Sequence, residues 1–556
     1  MNPEQLLQHF ERISEAPDAI ARLRRFILDL AVRGKLVEQD PNDEPASELL
    51  RQIQSEKSRL ILERSIKTQQ ALPPINAEVM PHTIPEGWIW VYLNDVTDLV
   101  YGKLLPTTDL LPSGYDVFGA NGVIGKYSEF LYKDEMLLIS CRGAYSGTPN
   151  ISPPNCYVTN NSIVCQFFAP NKCNIRYFYS VLTVSNKEKI VSGTAQPQVT
   201  VANAIRLPIP LPPLAEQHRI VAKVDELMAL CDQLQAAQTE REQHRDRLVA
   251  ASLHCLNPAV AGTEANTPDT QRESARFLFN HLPRLTTRPE HIKQLRQTIL
   301  NLAVRGKLVP QDPNDEPAAK LSKRIEKEIN DHQVNRSYRK AKPLPPVKSD
   351  EKPFILPFNW EWARLRSLAF VLGDGIHGTP IYTDGTNYFF INGNNLADGK
   401  IVIKSNTKTV SFEEMQKHKK PMSTNTVLVS INGTLGNVAF YNNEEVVLGK
   451  SACYFNLSSS INKYYIKLLI ESPYFLEYAL LGATGTTIKN LSLKAMNEFP
   501  VPLPPLAEQH RIVAKVDELM ALCDQLETQL ADTAADSRRL LEAVLHQALL
   551  PAEQAA

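Results

Sequence analysis

The chain has 556 residues, 60 of them basic and 61 acidic. This length is too great for one hydrophobic core, so a few domains are expected. The balanced charge excludes a general basic excess, the usual footprint of a nucleic-acid binder, while leaving room for a local basic face.

No run approaches the roughly 18 apolar residues of a membrane helix. The opening MNPEQLLQHFERIS lacks the apolar core of a signal peptide. Cys141, Cys156, Cys165, Cys173, Cys231, Cys255, Cys453 and Cys523 show neither CxxC nor Cys/His ligand spacing. Reduced thiols in a soluble, cytoplasmic protein are expected, with no metal.

Residues 1–84 read as a helical region. Leu6, Phe10 and Ile13, then Ile20, Leu23, Ile27 and Leu30, recur at helical spacing. Gly34 should end that helix, a Pro/Asn/Asp turn follows at 40–45, and Ser47 is the expected cap of a second helix. That helix carries Leu49, Leu50, Ile53 and Leu60, and a proline-containing linker follows. Residues 85–210 read as a β-rich mixed domain, with strand-like runs at Trp88–Leu93, Met136–Ser140 and Ser162–Phe168 between Gly/Asn/Pro turns. Leu207–Pro213, LPIPLPP, closes it as a stiff extended strap.

Residues 211–257 form a long helix from about Leu214 to Leu256. Ile220, Val224, Leu227, Cys231 and Leu234 are spaced 4, 3, 4, 3, a heptad seam. A helix of about 40 residues spans roughly 60 Å. Residues 258–355 hold a polar linker and a repeated helical region, 356–502 a second β-rich domain, and 503–556 a second long helix. Its seam is Ile512, Val516, Leu519, Cys523 and Leu526. The two seams suit an antiparallel coiled coil within one chain and the docking of partners. The alternative is that each seam packs on its own half. The fold class expected is α+β: two β-rich domains separated by two long helices, in a pseudo-two-fold repeat.

The repeat rests on two blocks. LPPLAEQHRIVAKVDELMALCDQL occurs at Leu211–Leu234 and, unchanged, at Leu503–Leu526. LAVRGKLV occurs at Leu30–Val37 and Leu302–Val309, each followed after one residue by QDPNDEPA. The β-rich domains share only a skeleton. Trp88 and Trp90 match Trp360 and Trp362, SCRGAYSG at Ser140–Gly147 matches SINGTLGN at Ser430–Asn437, and Gly193-Thr194 matches Gly485-Thr486. The tryptophans are expected in the core. One skeleton with two surfaces suits two specificities.

Catalytic signals are weak. Gly373–Gly378 spells GxGxxG, but Thr379-Pro380 follows where a dinucleotide site needs an apolar helix, so a polar loop is expected. There is no Walker spacing, no [DN]PP[YF] tetrapeptide and no paired histidines for a metal. What the domains do carry is polar side chains beside glycines. In the first domain these are Lys103, Asn121, Lys126, Arg142, Tyr145, Asn160, Asn161, Gln196 and Gln198. In the second they are His377, Thr379, Asn392, Asn394, Asn395, Asn432, Lys450 and Lys489. Arg and Lys suit guanine edges and phosphates, and Asn and Gln suit adenine. Singly, any of them is more readily an ordinary solvated or turn-forming side chain.

With these blocks the chain resembles, over essentially its whole length, the specificity (S) subunit of type I restriction–modification enzymes. The resemblance rests on PLPPLAEQHRIVAKVDELM, on LAVRGKLV…QDPNDEPA, and on FGANGVIGKY (Phe118–Tyr127) and GDGIHGTP (Gly373–Pro380). The N-terminal helical region resembles the type IB branch. The resemblance implies that each β-rich domain is a target recognition domain reading one half of a split DNA site. It implies that the helices set the spacer and dock two modification and two restriction subunits. S-adenosylmethionine, ATP and magnesium would then lie on those partners, with no cofactor and no catalysis on this chain. The competing expectations are a non-DNA-binding scaffold for two partners and an unrecognised methyltransferase or nuclease.

Overall fold

Among the described residues, two helices precede the β-rich domain of each half, Ala19–Val32 and Ala46–Leu62 in the first and Pro289–Val304 and Ala318–Val334 in the second. The structure, a computed structural model, describes residue 16 and residues 18–549 apart from 69–71, 77–78, 188–189, 194–196, 257–280, 282–284, 335–343 and 486. The expected spacing of Leu6, Phe10 and Ile13 lies outside these residues. Ile27, Leu28, Ala31 and Val32 form the buried stripe that a 3.6-residue period demands. The helix stops before Gly34, at φ +65°, where the Lys35 N–H donates back to the Leu30 carbonyl at 2.9 Å. That arrangement satisfies the last carbonyls and favours glycine. Gly306 repeats it at φ +69°. A Cβ on either glycine would also overlap the ring of Pro85 or Pro357. Ser47 is not a cap, contrary to expectation. The helix starts at Ala46 after Pro45, with no side-chain cap, because the fixed proline φ ends the incoming turn earlier.

The first β-rich domain contains β1 (Ile89–Tyr92), β2 (Thr97–Tyr101), β3 (Tyr115–Phe118), β4 (Val123–Tyr127), β5 (Leu137–Ser140) and β6 (Pro149–Ile151). It continues with β7 (Cys156–Val158), β8 (Ser162–Phe167), β9 (Val191–Ser192), β10 (Gln198–Val199) and β11 (Pro208–Leu211). The second contains β12 (Glu361–Arg364), β13 (Ala369–Asp374), β14 (Phe389–Ile391), β15 (Leu396–Ala397) and β16 (Lys400–Ile401). It ends with β17 (Thr426–Ser430), β18 (Val438–Phe440), β19 (Val446–Leu448), β20 (Ala452–Leu457) and β21 (Pro500–Leu503). The central sheets have matching orders, β2-β8-β5-β6 and β13-β20-β17-β18. Parallel pairs β3 with β7 and β14 with β19 accompany them.

The inner strands are buried on both faces. Ile139, Ile163 and Cys165 join the core shared with the helices, whereas Leu138 and Val164 join a small core with Phe118 and Val158. Burial on both faces gives continuous apolar runs rather than alternation. The LPIPLPP strap is strand β11, paired with β1 so that Trp90 faces Pro210 and Tyr92 faces Pro208. A two-stranded ribbon tolerates such prolines because one edge needs no donor. Trp88 and Trp360 are core residues, and Trp90 and Trp362 are half-buried.

The repeated blocks hold each other. The Trp88 Nε1–H donates to Glu216 Oε2 at 2.9 Å, and Gln39 Nε2 donates to Glu216 Oε1 at 2.7 Å. Gln217 Oε1 accepts the Asn174 backbone N–H at 2.9 Å, and its Nε2 donates to the Pro212 carbonyl at 3.1 Å. His218 Nδ1 lies 3.1 Å from the Asn174 amide nitrogen. Arg219 pairs with Asp43 at 2.7 Å. The second half repeats every contact, through Trp360 and Gln311 on Glu508, Asn462 on Gln509 and His510, and Arg511 on Asp315. Burial pushes the Glu216 and Glu508 carboxyls up, and the indole and amide donors oppose that rise. Gln39 and Asp43 belong to QDPNDEPA, and Glu216 to Arg219 belong to LAEQHR. This mutual bonding accounts physically for two blocks repeating together.

The long helices run from Leu214 to Leu256 and from Leu506 to Leu549. The chain forms two compact units, Met1–Glu240 with Ala534–Ala556, and Arg241–Thr533. Each long helix therefore contributes residues to both units. In the first unit Ile220, Val224, Leu227 and Cys231 share a core with Ile27, Leu28 and Ala31 of the opening helix. In the second, Ile512, Val516, Leu519, Cys523 and Leu526 share one with Ile292, Leu295 and Ile299, joined by Val249 and Leu253. Packing of each seam on its own half, the alternative expectation, accounts for these cores. The opening helix of the same half covers each seam, and of the first seam only Leu234 is exposed, at 43%. A heptad pattern states that a face is apolar, not which helix covers it.

Trp88→Phe strands one oxygen of a buried carboxylate and should lower stability by about 1–3 kcal/mol. Trp90→Phe should cost far less, because its buried indole N–H has no partner. Equal shifts in the denaturant midpoint for the two variants would refute this account of the junction.

Candidate nucleic-acid interface

Five segments of the first domain meet at one end of its central sheet. Gly102, after β2, approaches β7 so closely that a Cβ would overlap the carbonyls of Val158 and Thr159. The next residue, Lys103, donates its N–H to Val158 at 3.0 Å, and its carbonyl accepts from Asn160 at 3.1 Å. Asn121 is at the turn between β3 and β4, where Gly119 bonds to Gly122 at 2.9 Å. Ser162 Oγ donates to the Gly119 carbonyl at 2.8 Å, and Ser140 Oγ to that of Ala120. Arg142 leaves β5 opposite Gln198. The Gly143 N–H and Ser146 Oγ both donate to the Pro197 carbonyl, at 3.1 and 2.6 Å. Lys103, Asn121, Arg142 and Gln198 are all exposed.

The second domain builds the same end with other side chains. The Ile376 N–H donates to Leu448 at 2.8 Å, as Lys103 does to Val158. Gly449 bonds to Ile391 as Thr159 does to Phe118, which aligns Asn394 with Asn121. Gly433 donates to the Lys489 carbonyl at 2.9 Å, and Asn432 faces Asn490 as Arg142 faces Gln198. Lys450 occupies the place of Asn160. The five equivalent positions are thus Lys103, Asn121, Arg142, Asn160 and Gln198 in one domain, and Ile376, Asn394, Asn432, Lys450 and Asn490 in the other. Each set carries three amides; the first adds two cations, and the second adds one cation and an isoleucine.

Other sequence candidates fare differently. Tyr145 is 55% exposed on the short turn after Arg142. Lys126 lies within β4, half-buried and paired with Asp116 at 2.6 Å. His377 Nε2 is 2.8 Å from an Asp374 oxygen, and Thr379 is exposed two residues on. Lys489 adjoins Asn490 and is half-buried. Gln196 lies outside the described residues. Asn392 and Asn395 are spent internally, on Ser451 Oγ at 2.9 Å and on the Val402 carbonyl at 2.9 Å. In the GxGxxG segment, Gly373 and Asp374 end β13, and a Cβ on Gly375 would overlap the carbonyls of Leu448 and Gly449. The glycine at 375 serves close strand approach, a correction to the polar-loop expectation for the start of this segment.

Sequence reasoning missed Asn490 and Lys404. Lys404 Nζ donates to the Asn394 carbonyl at 2.8 Å, which brings a cation to the cluster. It belongs to the segment between β14 and β17, longer than its counterpart between β3 and β5, with Lys400, Lys408, Lys417, Lys419 and Lys420. Carrying the match of Gly193-Thr194 with Gly485-Thr486 on to Gln198 would have exposed Asn490. Lys404 has no counterpart, so no such signal existed for it.

Among the described residues no group of three His, Cys, Asp or Glu side chains could hold a metal, and no helix is long and apolar enough to cross a membrane. Burial pushes the Cys141 and Cys156 thiols up, the latter to about 11, so neither is a reactive thiolate.

A family model for the type I restriction modification DNA specificity domain matches residues 85–242 and again 358–534. The chain belongs to the family of type I restriction enzyme specificity subunits. It is 31% identical to the EcoAI specificity subunit of Escherichia coli, covering 91% of this chain and 90% of that protein. It is 29% identical to the EcoEI specificity subunit of the same species, covering 95% and 94%. Among solved structures, one from work on complex assembly and conformational transition of the type I R-M system is 20% identical. It covers 84% of this chain and 99% of its own, with a TM-score of 0.43. Specificity subunits are the non-catalytic members of type I systems, consistent with a site built of recognition chemistry.

In the assembled enzyme, Arg142→Ala should relax discrimination at one base position of one half-site by about 1–3 kcal/mol. Lys126→Ala should have the smaller effect, because Asp116 already holds that ammonium. Competition between oligonucleotides that differ at single positions measures both. Equal effects would contradict the placement of the interface.

Proposed function

We propose that the chain is the DNA sequence-specificity subunit of a type I restriction–modification system, with each β-rich domain reading one half of a bipartite double-stranded site. The supporting observation is that four of five equivalent loop positions carry different side chains, most of them hydrogen-bonding, on the same strand framework. Arg and Lys match guanine edges and phosphates, and Asn and Gln match adenine. Family membership and the exposed loops favour this reading over a scaffold that never touches DNA.

The long helices, in this reading, set the spacer between half-sites, about one turn of duplex or roughly 34 Å for sites on one face. Two modification subunits dock on the repeated helical parts and carry S-adenosylmethionine for adenine-N6 methylation. Two restriction subunits add ATP- and magnesium-dependent translocation and cleavage. The chain itself carries no cofactor and works in the cytoplasm. A near-neutral net charge suits a subunit whose partners supply further phosphate contacts, so it should bind DNA weakly alone.

Genome-wide mapping of adenine-N6 methylation tests the proposal, in cells with the modification subunit alone and with this chain added. A split motif that appears only with this chain is expected. If the two proteins co-purify and no motif appears, the scaffold reading replaces this one. Inserting one heptad after Glu240 should lengthen the spacer or abolish activity, and an unchanged spacer would refute the ruler.

A further inference from the structure

The loop end of the first β-rich domain carries one large side chain that hydrogen bonding does not explain. Leu104 directly follows Lys103 and is 73% exposed. It joins none of the hydrophobic cores formed by the described residues. Its backbone is nonetheless fixed. Gly102 lies against the carbonyls of Val158 and Thr159, Lys103 is bonded on both sides, to Val158 and to Asn160, and the Leu104 carbonyl accepts the Tyr157 hydroxyl at 3.4 Å. Lone exposed leucines are ordinary on protein surfaces. This one is held in place beside Lys103 and Asn160, at the end of the sheet where the polar loop residues gather.

The second domain acts as an internal control. There Gly375, Ile376 and His377 take the places of Gly102, Lys103 and Leu104, and the Ile376 N–H bonds to Leu448 as that of Lys103 does to Val158. His377 is exposed and lies 2.8 Å from an Asp374 oxygen. The framework thus accepts a polar side chain at this point, and packing does not require the leucine. Aliphatic surface left in water gains free energy when another apolar group covers it.

The neighbouring chain segment points to the group that covers Leu104. Asn160 donates its N–H to the Lys103 carbonyl at 3.1 Å, one residue from Leu104. Hydrogen-bonded segments lie about 4.8 Å apart and stacked base pairs about 3.4 Å apart, so an amide and a leucine on such neighbours can meet the same base pair or adjacent ones. In the major groove an A·T pair shows a donor and an acceptor on adenine, which an Asn amide matches, and beside them the C5 methyl group of thymine. That methyl is the one group among the base edges there that an aliphatic side chain can single out. Resting on the assignment of this domain to DNA recognition, we infer that Leu104 packs on the C5 methyl of a thymine in the half-site of the first domain. His377 presents a ring nitrogen at the corresponding point of the second.

The test uses the full chain assembled with its modification subunit, and competition binding between duplexes that carry the motif it directs for methylation. Each thymine of the motif is replaced in turn by uracil, which deletes only the methyl group. One replacement should weaken binding about fourfold, the factor expected for burying one methyl-sized group. Leu104→Ala should remove the preference for thymine over uracil at that position and leave discrimination at the other positions unchanged, which shows that the variant is folded. Leu104→Met, still apolar and of similar volume, should keep the preference. If uracil is tolerated at every thymine while exchange of whole base pairs abolishes binding, the methyl contact is overturned and recognition by the domain stands. A uracil penalty of the same size in Leu104→Ala places the contact on another residue and overturns it. Loss of assembly with the modification subunit in Leu104→Ala would make the leucine a protein contact and overturn it as well. If no base-pair exchange matters, the recognition role falls and the methyl contact with it.

Discussion

The structure depends on a carboxylate buried where three chain segments meet. Glu216 starts the first long helix, Trp88 opens the first β-rich domain, and Gln39 follows the opening helix. A buried carboxylate without donors is strongly unfavourable, so all three segments must assemble before the junction is stable. Arg219 with Asp43 and Gln217 with Asn174 extend the same knot to the turn and to the helix Ile175–Val184. Glu508 repeats the arrangement. These neighbours are fully specified by hydrogen bonds, so they tolerate little change, and both copies keep the same residues.

This knot frees the opposite end of each domain to vary. The central sheets are buried on both faces, so their inner strands are occupied by packing and leave recognition to the loops beyond them. Rigid strands with adaptable ends are how a scaffold positions contacts accurately. The bonds that hold the loop ends are largely backbone to backbone, as between Gly143 and Pro197 or Gly433 and Lys489. Side chains at Arg142, Asn432, Gln198 and Asn490 can therefore change without disturbing the frame. One fold presents three amides in each domain, with two cations beside them in the first and one cation and an isoleucine in the second.

The same duplication separates structural need from function elsewhere. Gly34 and Gly306 share a left-handed conformation and a proline neighbour, so both copies require glycine. His82 and Phe354 share a position yet differ in chemistry, and only His82 adjoins an indole with an unpartnered N–H. Where two copies agree, packing explains the residue. Where they differ at a buried position, one copy has been released from that packing or given another task.

Periodicity and exact repetition in the sequence were enough to determine the order of helical and β-rich regions, the two long helices, the terminating glycines and the family. These signals are local, being a spacing of apolar residues, a backbone conformation only glycine adopts readily, or a repeated string. The coverage of the seams was not local. Ile220 and Cys231 read as a coiled-coil face, and only the folded chain shows the opening helix lying on them. The recognition residues were legible as a class, polar and beside glycines. Their alignment across the two domains was not, because Asn432 meets Asn490 across 58 residues and Arg142 meets Gln198 across 56. Pairings of that range are set by strand register and buried packing, which no short stretch of sequence encodes.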